Sequence, residues 1–263
     1  MSKGIDIETL KLRSRDVDMH RRLRTSELFL LLQEASIRHT EALGMGRDKT
    51  LDKGILWVLL MQRAEITRMP CYDETVVLKS WPGTAMHLLF PRYYSLETDA
   101  GESLLKASAI WSLVDAKTRK VVFPERYGVE IDGVVTGDEI TLPSTIRKQD
   151  CDREREFTVP YSYVDLNGHM NNARYFDLAE DCVGAAARGL PLKEVRTEYV
   201  NEIRFGETAL LRWNGDEGEV FVTGECGGKP AFRMVLKYGE GLVFSSGLPA
   251  PLGCGDFGVF IKK

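Results

Sequence analysis

Val164-Asp165-Leu166-Asn167-Gly168-His169-Met170-Asn171-Asn172 sets a carboxylate, an amide and an imidazole at alternate positions in a short polar loop. A periodic apolar segment begins at once, near Tyr175, so the loop stands beside the expected start of a helix. The first residues of a helix carry backbone N–H groups without intrahelical partners and a partial positive charge. Such a position suits a carbonyl oxygen that becomes negative during reaction. Asp, Asn and Gly also build ordinary turns and caps. Capping needs only one such residue, however, whereas Asp165, Asn167, His169 and Asn171 recur at a spacing of two. The pattern therefore points to a catalytic or binding site.

Outward from this loop, one plan appears twice. Val17-Asp18-Met19-His20 precedes a helix expected over 26–43, with Leu28, Leu31, Leu32, Ala35, Ala42 and Leu43 on one face and Gly44 as its stop. Val164-Asp165 precedes a helix expected over 172–188, with Tyr175, Phe176, Ala179, Cys182, Val183 and Ala186 on one face, ended by Gly189 and Pro191. Ala185, Ala186 and Ala187 suit close packing inside a curled sheet. Strand-like runs follow each helix: 56–67, 75–81, 88–98 and 104–114 in the first half, then 198–205, 208–213, 219–225 and 231–238 in the second. Thr98-Asp99-Ala100-Gly101 reads as a hairpin turn. Cys71-Tyr72-Asp73-Glu74-Thr75 leads a strand ending in Trp81, as Arg204-Phe205-Gly206-Glu207-Thr208 leads one ending in Trp213.

Residues 142–156 are charged and aperiodic and read as a linker, which divides the chain into units 1–148 and 149–263. Gly247 to Gly258 reads as an irregular tail. The fold class expected is α+β, two copies of an antiparallel sheet curled around one helix, joined by sheet edges or faces as a pseudo-dimer. Ungapped alignment of the two loop–helix segments puts Asp18 with Asp165, His20 with Asn167 and Arg22 with His169. The first copy keeps the carboxylate alone, so one site per chain is expected, mostly in the second half.

The 263 residues are 43% apolar, enough for a substantial core, and the formal net charge of −4 does not suggest nucleic-acid binding. The clusters Arg21, Arg22, Arg24 and Lys117, Arg119, Lys120 read as solvated surface; a functional one would seek an acidic partner. Cys71, Cys151, Cys182, Cys226 and Cys254 are scattered and form no C-x-x-C pair, so reduced thiols, no metal site and a cytoplasmic location are expected. Cys182, on the apolar helix face, reads as core, and His39 and His87 have no partner at a recognisable spacing. His20 reads as an ordinary surface histidine. Met1 to Leu12 is charged and lacks the apolar stretch of a signal peptide, and no uncharged apolar run reaches the ~18 residues of a membrane span.

The chain resembles the acyl-acyl-carrier-protein thioesterases. Asp165 to Asn172 looks like that family's D-x-N-x-H-V-N-N signature, with Met170 in place of the usual Val. Glu198-Tyr199-Val200-Asn201-Glu202-Ile203 looks like its E-Y-R-R-E-C segment, which puts Glu202 on the catalytic Glu and Ile203 where plant members often carry Cys. Leu56-Trp57-Val58-Leu59 is similar to its I-W-V-V strand, and Trp111 followed by Lys117-Thr118-Arg119-Lys120 to its W-V-M-M-N-x-x-T-R-R stretch. The resemblance spans about Leu28 to Tyr238. It implies a tandem of two hotdog domains and hydrolysis of a fatty acyl thioester on an acyl carrier protein, with no cofactor and no metal, as a monomer that is its own pseudo-dimer or as a homodimer.

On that resemblance the site is Asp165, Asn167, His169 and Glu202. Glu202 and His169 would handle the water and the proton, Asp165 would orient or share the base role, and Asn167, which cannot titrate usefully, would orient water or donate to the carbonyl oxygen. Without the resemblance, Glu202 reads as a solvent-facing residue on a strand. The alternatives are an acyl-coenzyme A thioesterase, a hydroxyacyl dehydratase of the same fold, and an acyl-binding module without turnover.

Overall fold

Phe29 and Phe176 stack face to face, with ring centroids 4.0 Å apart and planes 7° from parallel. They hold equivalent positions in the two aligned loop–helix segments, so a side chain meets its own counterpart. That is the signature of a local two-fold axis between the halves. The computed structural model, which describes residues 4–240, carries this axis through the fold.

The first half runs β1 (Asp6–Lys11), α1 (Thr25–Ala42), β2 (Ile55–Ile66), β3 (Thr75–Pro82), β4 (Phe90–Thr98) and β5 (Ser103–Asp115). The second repeats it as β6 (Arg153–Thr158), α2 (Arg174–Val183), β7 (Leu192–Tyr199), β8 (Thr208–Trp213), β9 (Glu219–Cys226) and β10 (Lys229–Tyr238). All the strands form one antiparallel sheet in the order β1-β3-β4-β5-β2-β7-β10-β9-β8-β6, in which the second half is the first in reverse. The α+β class and the two-copy hotdog plan expected from the sequence are both present.

The halves join edge to edge through β2 and β7, paired from Met61↔Glu198 to Glu65↔Glu194 with Arg63 opposite Arg196 at the centre. Like charges directly opposed would destabilise that seam. Glu194 offsets them, lying 2.9 Å from the Arg63 side chain and 3.5 Å from that of Arg196, and Glu65 meets Arg63 at 2.6 Å.

One apolar cluster crosses the axis. Leu28, Phe29 and Leu32 of α1 and Tyr175, Phe176 and Ala179 of α2 belong to it together, all nearly inaccessible to solvent. Burying such side chains contributes roughly 1.5–3 kcal/mol each, and a stacked aromatic pair adds about 1 kcal/mol. The stability of either half therefore depends on the other.

Several expectations need correction. β1 is not among the strands expected from the sequence, and the start of β6 falls in the stretch read as linker: both are short, polar strands at the two ends of the sheet, so they carry little apolar signal. Residues 153–156 are thus not linker. β7 begins at Leu192, not 198, its charged residues being committed to the seam. α2 stops at Val183 rather than 188, because Gly184 takes the left-handed conformation, φ 70°, and its N–H caps the Glu180 carbonyl. Of the three alanines beyond it, Ala185 alone is buried. Cys182 packs, partly buried, against the core as expected. His39 does have a partner: it is buried beside Arg92, whose Nη1 lies 3.1 Å from Nδ1. Cys71 is disulfide-bonded, against the expectation of thiols throughout, while Cys151, Cys182 and Cys226 are free. The tail 247–258 lies outside the described residues. Among those described, no helix is long and apolar enough to cross a membrane.

Candidate active site

The loop before α2 is a tight hairpin tip. Asp165 N–H donates to the His169 carbonyl at 3.0 Å, Gly168 N–H donates back to the Asp165 carbonyl at 3.0 Å, and Asp165 Oδ1 accepts the Asn167 N–H at 2.8 Å. Gly168, with φ 83°, supplies the left-handed turn that a side chain would strain. Asn171 then caps the helix entry, its Oδ1 accepting the Ala173 N–H at 2.9 Å.

A second segment is stitched to this tip. Met170, buried, donates its N–H to the Ile203 carbonyl at 2.8 Å, and His169 pairs with Arg204 as a β-bridge. Glu202 belongs to this segment, not to a strand, since β7 has ended at Tyr199. The stitching turns it toward the loop: Oε1 lies 3.3 Å from His169 Nε2, while Asp165 Oδ1 lies 3.8 Å from Nδ1. The imidazole thus stands between two carboxylates, one on each ring nitrogen. Asp165 and His169 keep 19% and 18% side-chain exposure and Glu202 32%, so the group is shielded yet reachable. Asn167 is exposed, and its side chain makes no hydrogen bond among the described residues. Among the described residues no group of three His, Cys, Asp or Glu side chains is arranged to hold a metal ion.

Tyr199, partly buried against the core, fixes the surroundings: its hydroxyl lies 2.9 Å from the Asn172 carbonyl and 3.2 Å from Gln62 Oε1, linking the helix entry to β2 of the other half. Burial pushes its phenol well above the usual tyrosine range, so it remains a neutral strut.

Sequence reasoning missed a fourth charged group. Arg119, placed above in a solvated patch, reaches across from the first half and sets Nη1 3.2 Å from Glu202 Oε1. The acidic partner sought for that cluster lies inside the chain. The signal available was the T-R motif itself, in the same resembling stretch as Trp111.

The first-half loop has the same backbone and different chemistry. Asp18 Oδ1 accepts the N–H groups of His20 and Arg22 at 2.8 and 2.9 Å, and Arg21, φ 62°, stands where Gly168 stands. Leu23 donates to the Pro70 carbonyl, and Arg22 bridges Cys71, as Met170 and His169 do to Ile203 and Arg204. The structure therefore bears out the ungapped alignment. Arg22 lies 3.6 Å from Asp18 and donates to the Gly189 carbonyl at 3.1 Å. His20, read as an ordinary surface residue, is half-buried with Nε2 3.0 Å from the Ala187 carbonyl. Met69 falls where Glu202 falls, so the position that supplies the second carboxylate at His169 holds a thioether here.

A cavity of about 1100 Å³ opens on this first-half side, lined by Asp18, His20, Arg22, Thr25 and Glu180 among others, and not by His169 or Glu202. Glu180 accepts the Thr25 hydroxyl at 2.6 Å, and burial, reinforced by Asp177, Asp18 and Asp181, pushes its carboxyl up to about 7.

Residues 7–130 match the acyl-ACP thioesterase N-terminal domain family, and residues 146–220 match the acyl-ACP thioesterase C-terminal domain family. The chain is 24% identical over 183 residues to the chloroplastic acyl-[acyl-carrier-protein] hydrolase FATB2 of Cuphea viscosissima, covering 64% of this chain and 44% of that one. To the chloroplastic palmitoyl-acyl carrier protein thioesterase of Arabidopsis thaliana it is 24% identical over 212 residues, covering 74% and 51%. The chain spans about half the length of the curated relatives it matches. Among solved structures, an acyl-ACP thioesterase from Bacteroides thetaiotaomicron superposes with a TM-score of 0.80 at 22% identity, covering 91% of this chain and 100% of that one. The 12:0-ACP thioesterase from Umbellularia californica gives 0.75 at 18%, covering 89% and 96%. At these identities the superpositions speak for the fold.

Proposed function

The chain belongs to the acyl-ACP thioesterase family, and from that premise we propose that it hydrolyses the thioester linking a fatty acyl group to acyl carrier protein, releasing a free fatty acid and the carrier's thiol in fatty acid synthesis. The observation that carries this reading is His169 held between Asp165 and Glu202, with both carboxylates within 4 Å of its ring nitrogens.

A thioester carbonyl is already activated, so the protein's tasks are to deliver a water, hold an oxyanion and move one proton. Glu202, whose carboxylate accepts only, takes a proton from the attacking water. The water oxygen bonds to the carbonyl carbon, the proton held by Glu202 passes to His169 Nε2 3.3 Å away, and His169 delivers it to the sulfur as the carbon–sulfur bond breaks. Asp165, on the far ring nitrogen, sets the tautomer and orientation of the ring. Asn167, whose amide has no hydrogen bond among the described residues, donates to the carbonyl oxygen as it becomes negative. Residues 1–148 form the unit that walls the acyl pocket, and residues 149–263 the unit that carries these groups. Two acid–base groups suffice for a dehydratase, but the added amide and second carboxylate favour hydrolysis.

Product analysis by mass spectrometry with acyl carrier proteins bearing acyl chains of graded length tests the proposal. Free fatty acid should accumulate, with a preferred length, and more slowly from the matching coenzyme A thioesters. No fatty acid from any carrier would end the hydrolytic reading; release from coenzyme A alone would replace the carrier.

A further inference from the structure

Arg119 lies at the junction of the two halves, on the turn that follows β5. Asp115 builds that turn: its Oδ1 accepts the N–H groups of Lys117 and Thr118 at 3.0 and 2.7 Å and the Thr118 hydroxyl at 2.9 Å, and its backbone carbonyl accepts the Arg119 N–H at 2.9 Å. These bonds hold the Asp115 carboxyl below the usual carboxylate range. Ala116 ties the turn back to the Gly54 carbonyl at 2.9 Å, and Val121 pairs with Val114. The turn is therefore fixed, and it forces Arg119 into the left-handed region at φ 58°. A non-glycine residue kept there despite the steric cost is a recurring feature of functional sites.

The guanidinium so presented meets one carboxylate oxygen, Glu202 Oε1, at 3.2 Å, and the same oxygen faces His169 Nε2 at 3.3 Å. A flexible glutamate in a loop would otherwise sample several rotamers, and a base 1 Å out of place loses much of its effect. Taking the hydrolytic reading above as its basis, we infer that Arg119 is a positioning residue for the reaction: supplied by the half of the chain that lacks the catalytic loop, it fixes Glu202 against His169 and thereby makes the active site a product of both halves. Arg119 is exposed, as Lys117 and Lys120 are, but among the described residues only Arg119 of this cluster pairs with Glu202, so the two lysines do not share this role.

The test is steady-state hydrolysis of an acyl carrier protein thioester by the full chain and by Arg119→Met, Arg119→Lys, Glu202→Gln and the Arg119→Met/Glu202→Gln pair, with thermal melting of each. Arg119→Met should lower kcat about 10–30-fold with KM within twofold and an unchanged melting temperature, and Arg119→Lys should recover much of that loss. In the Glu202→Gln background the Met substitution should cost less than twofold, because its effect runs through the carboxylate. A rise in KM at full kcat would make Arg119 a carrier-docking residue and overturn the inference. Equal, additive losses in both backgrounds would do the same. An inactive wild-type chain would instead remove the hydrolytic reading, and the inference with it.

Discussion

The turns at Asp18–Arg22 and Asp165–His169 follow the same path and do different things. Each is closed by a carboxylate accepting the N–H two residues on, each takes a left-handed residue at the fourth position, and each is pinned by its next apolar residue to a neighbouring segment. What differs is what faces them. At His169 stand Glu202 and, through it, Arg119; Arg22 meets its own Asp18 at 3.6 Å and the Gly189 carbonyl at 3.1 Å. A shared backbone with different side chains means that the turn is the fold's way of entering its central helix, with the imidazole and its two carboxylates present at one copy of it.

His169→Ala should break the comparison at its strongest point. It is expected to lower kcat about 10³-fold, since it removes the proton-moving group, with circular dichroism and melting unchanged; near-normal turnover would take His169 out of the mechanism. Glu202→Ala comes next, with a loss of about 10² in kcat. If the loss appears in KM alone, the carboxylate binds substrate and does not act on water.

The matched pair Asp165→Asn and Asp18→Asn sharpens the contrast. The first should cost about tenfold in rate, because the amide removes the negative charge that stands 3.8 Å from the Nδ1 of the ring. The second should change the rate less than twofold while lowering stability by about 1 kcal/mol, since Asp18 accepts two backbone N–H groups. Equal rate losses would contradict the assignment of one site per chain.

The smallest effect concerns the first-half cavity. Glu180 has its folded-state value raised to about 7 from 4.5, so the folded protein binds its proton more tightly than the unfolded chain and loses stability as pH rises between those values. Glu180→Gln removes that loss. Its advantage over wild type in urea unfolding should grow from pH 4.5 to 7 and then level off at about 1 kcal/mol, after allowance for the solvent the side chain still meets. Parallel stability profiles for the two proteins would show that the carboxyl is not held neutral.

Much of this was legible in the residues. The alternation of Asp165, Asn167 and His169 marked a candidate site because polar groups at that spacing exceed what a cap requires. The helical periodicity of α1 located it to within one residue at each end. α2 was overextended because its apolar face continues past Gly184, and only the left-handed glycine ended it. β1 and β6 left little trace, since edge strands need polar faces.

The sequence alone determined the repeat, the α+β plan and the loop that carries the imidazole, because each rests on local pattern: apolar spacing, turn residues and a run of polar types. Only the tertiary structure decided that Glu202 faces His169, that Arg119 joins it from the other half, and that the two halves share one sheet and one core. Those are contacts between residues far apart in the chain, set by strand register and packing across the axis, and no local pattern encodes which distant side chain will arrive.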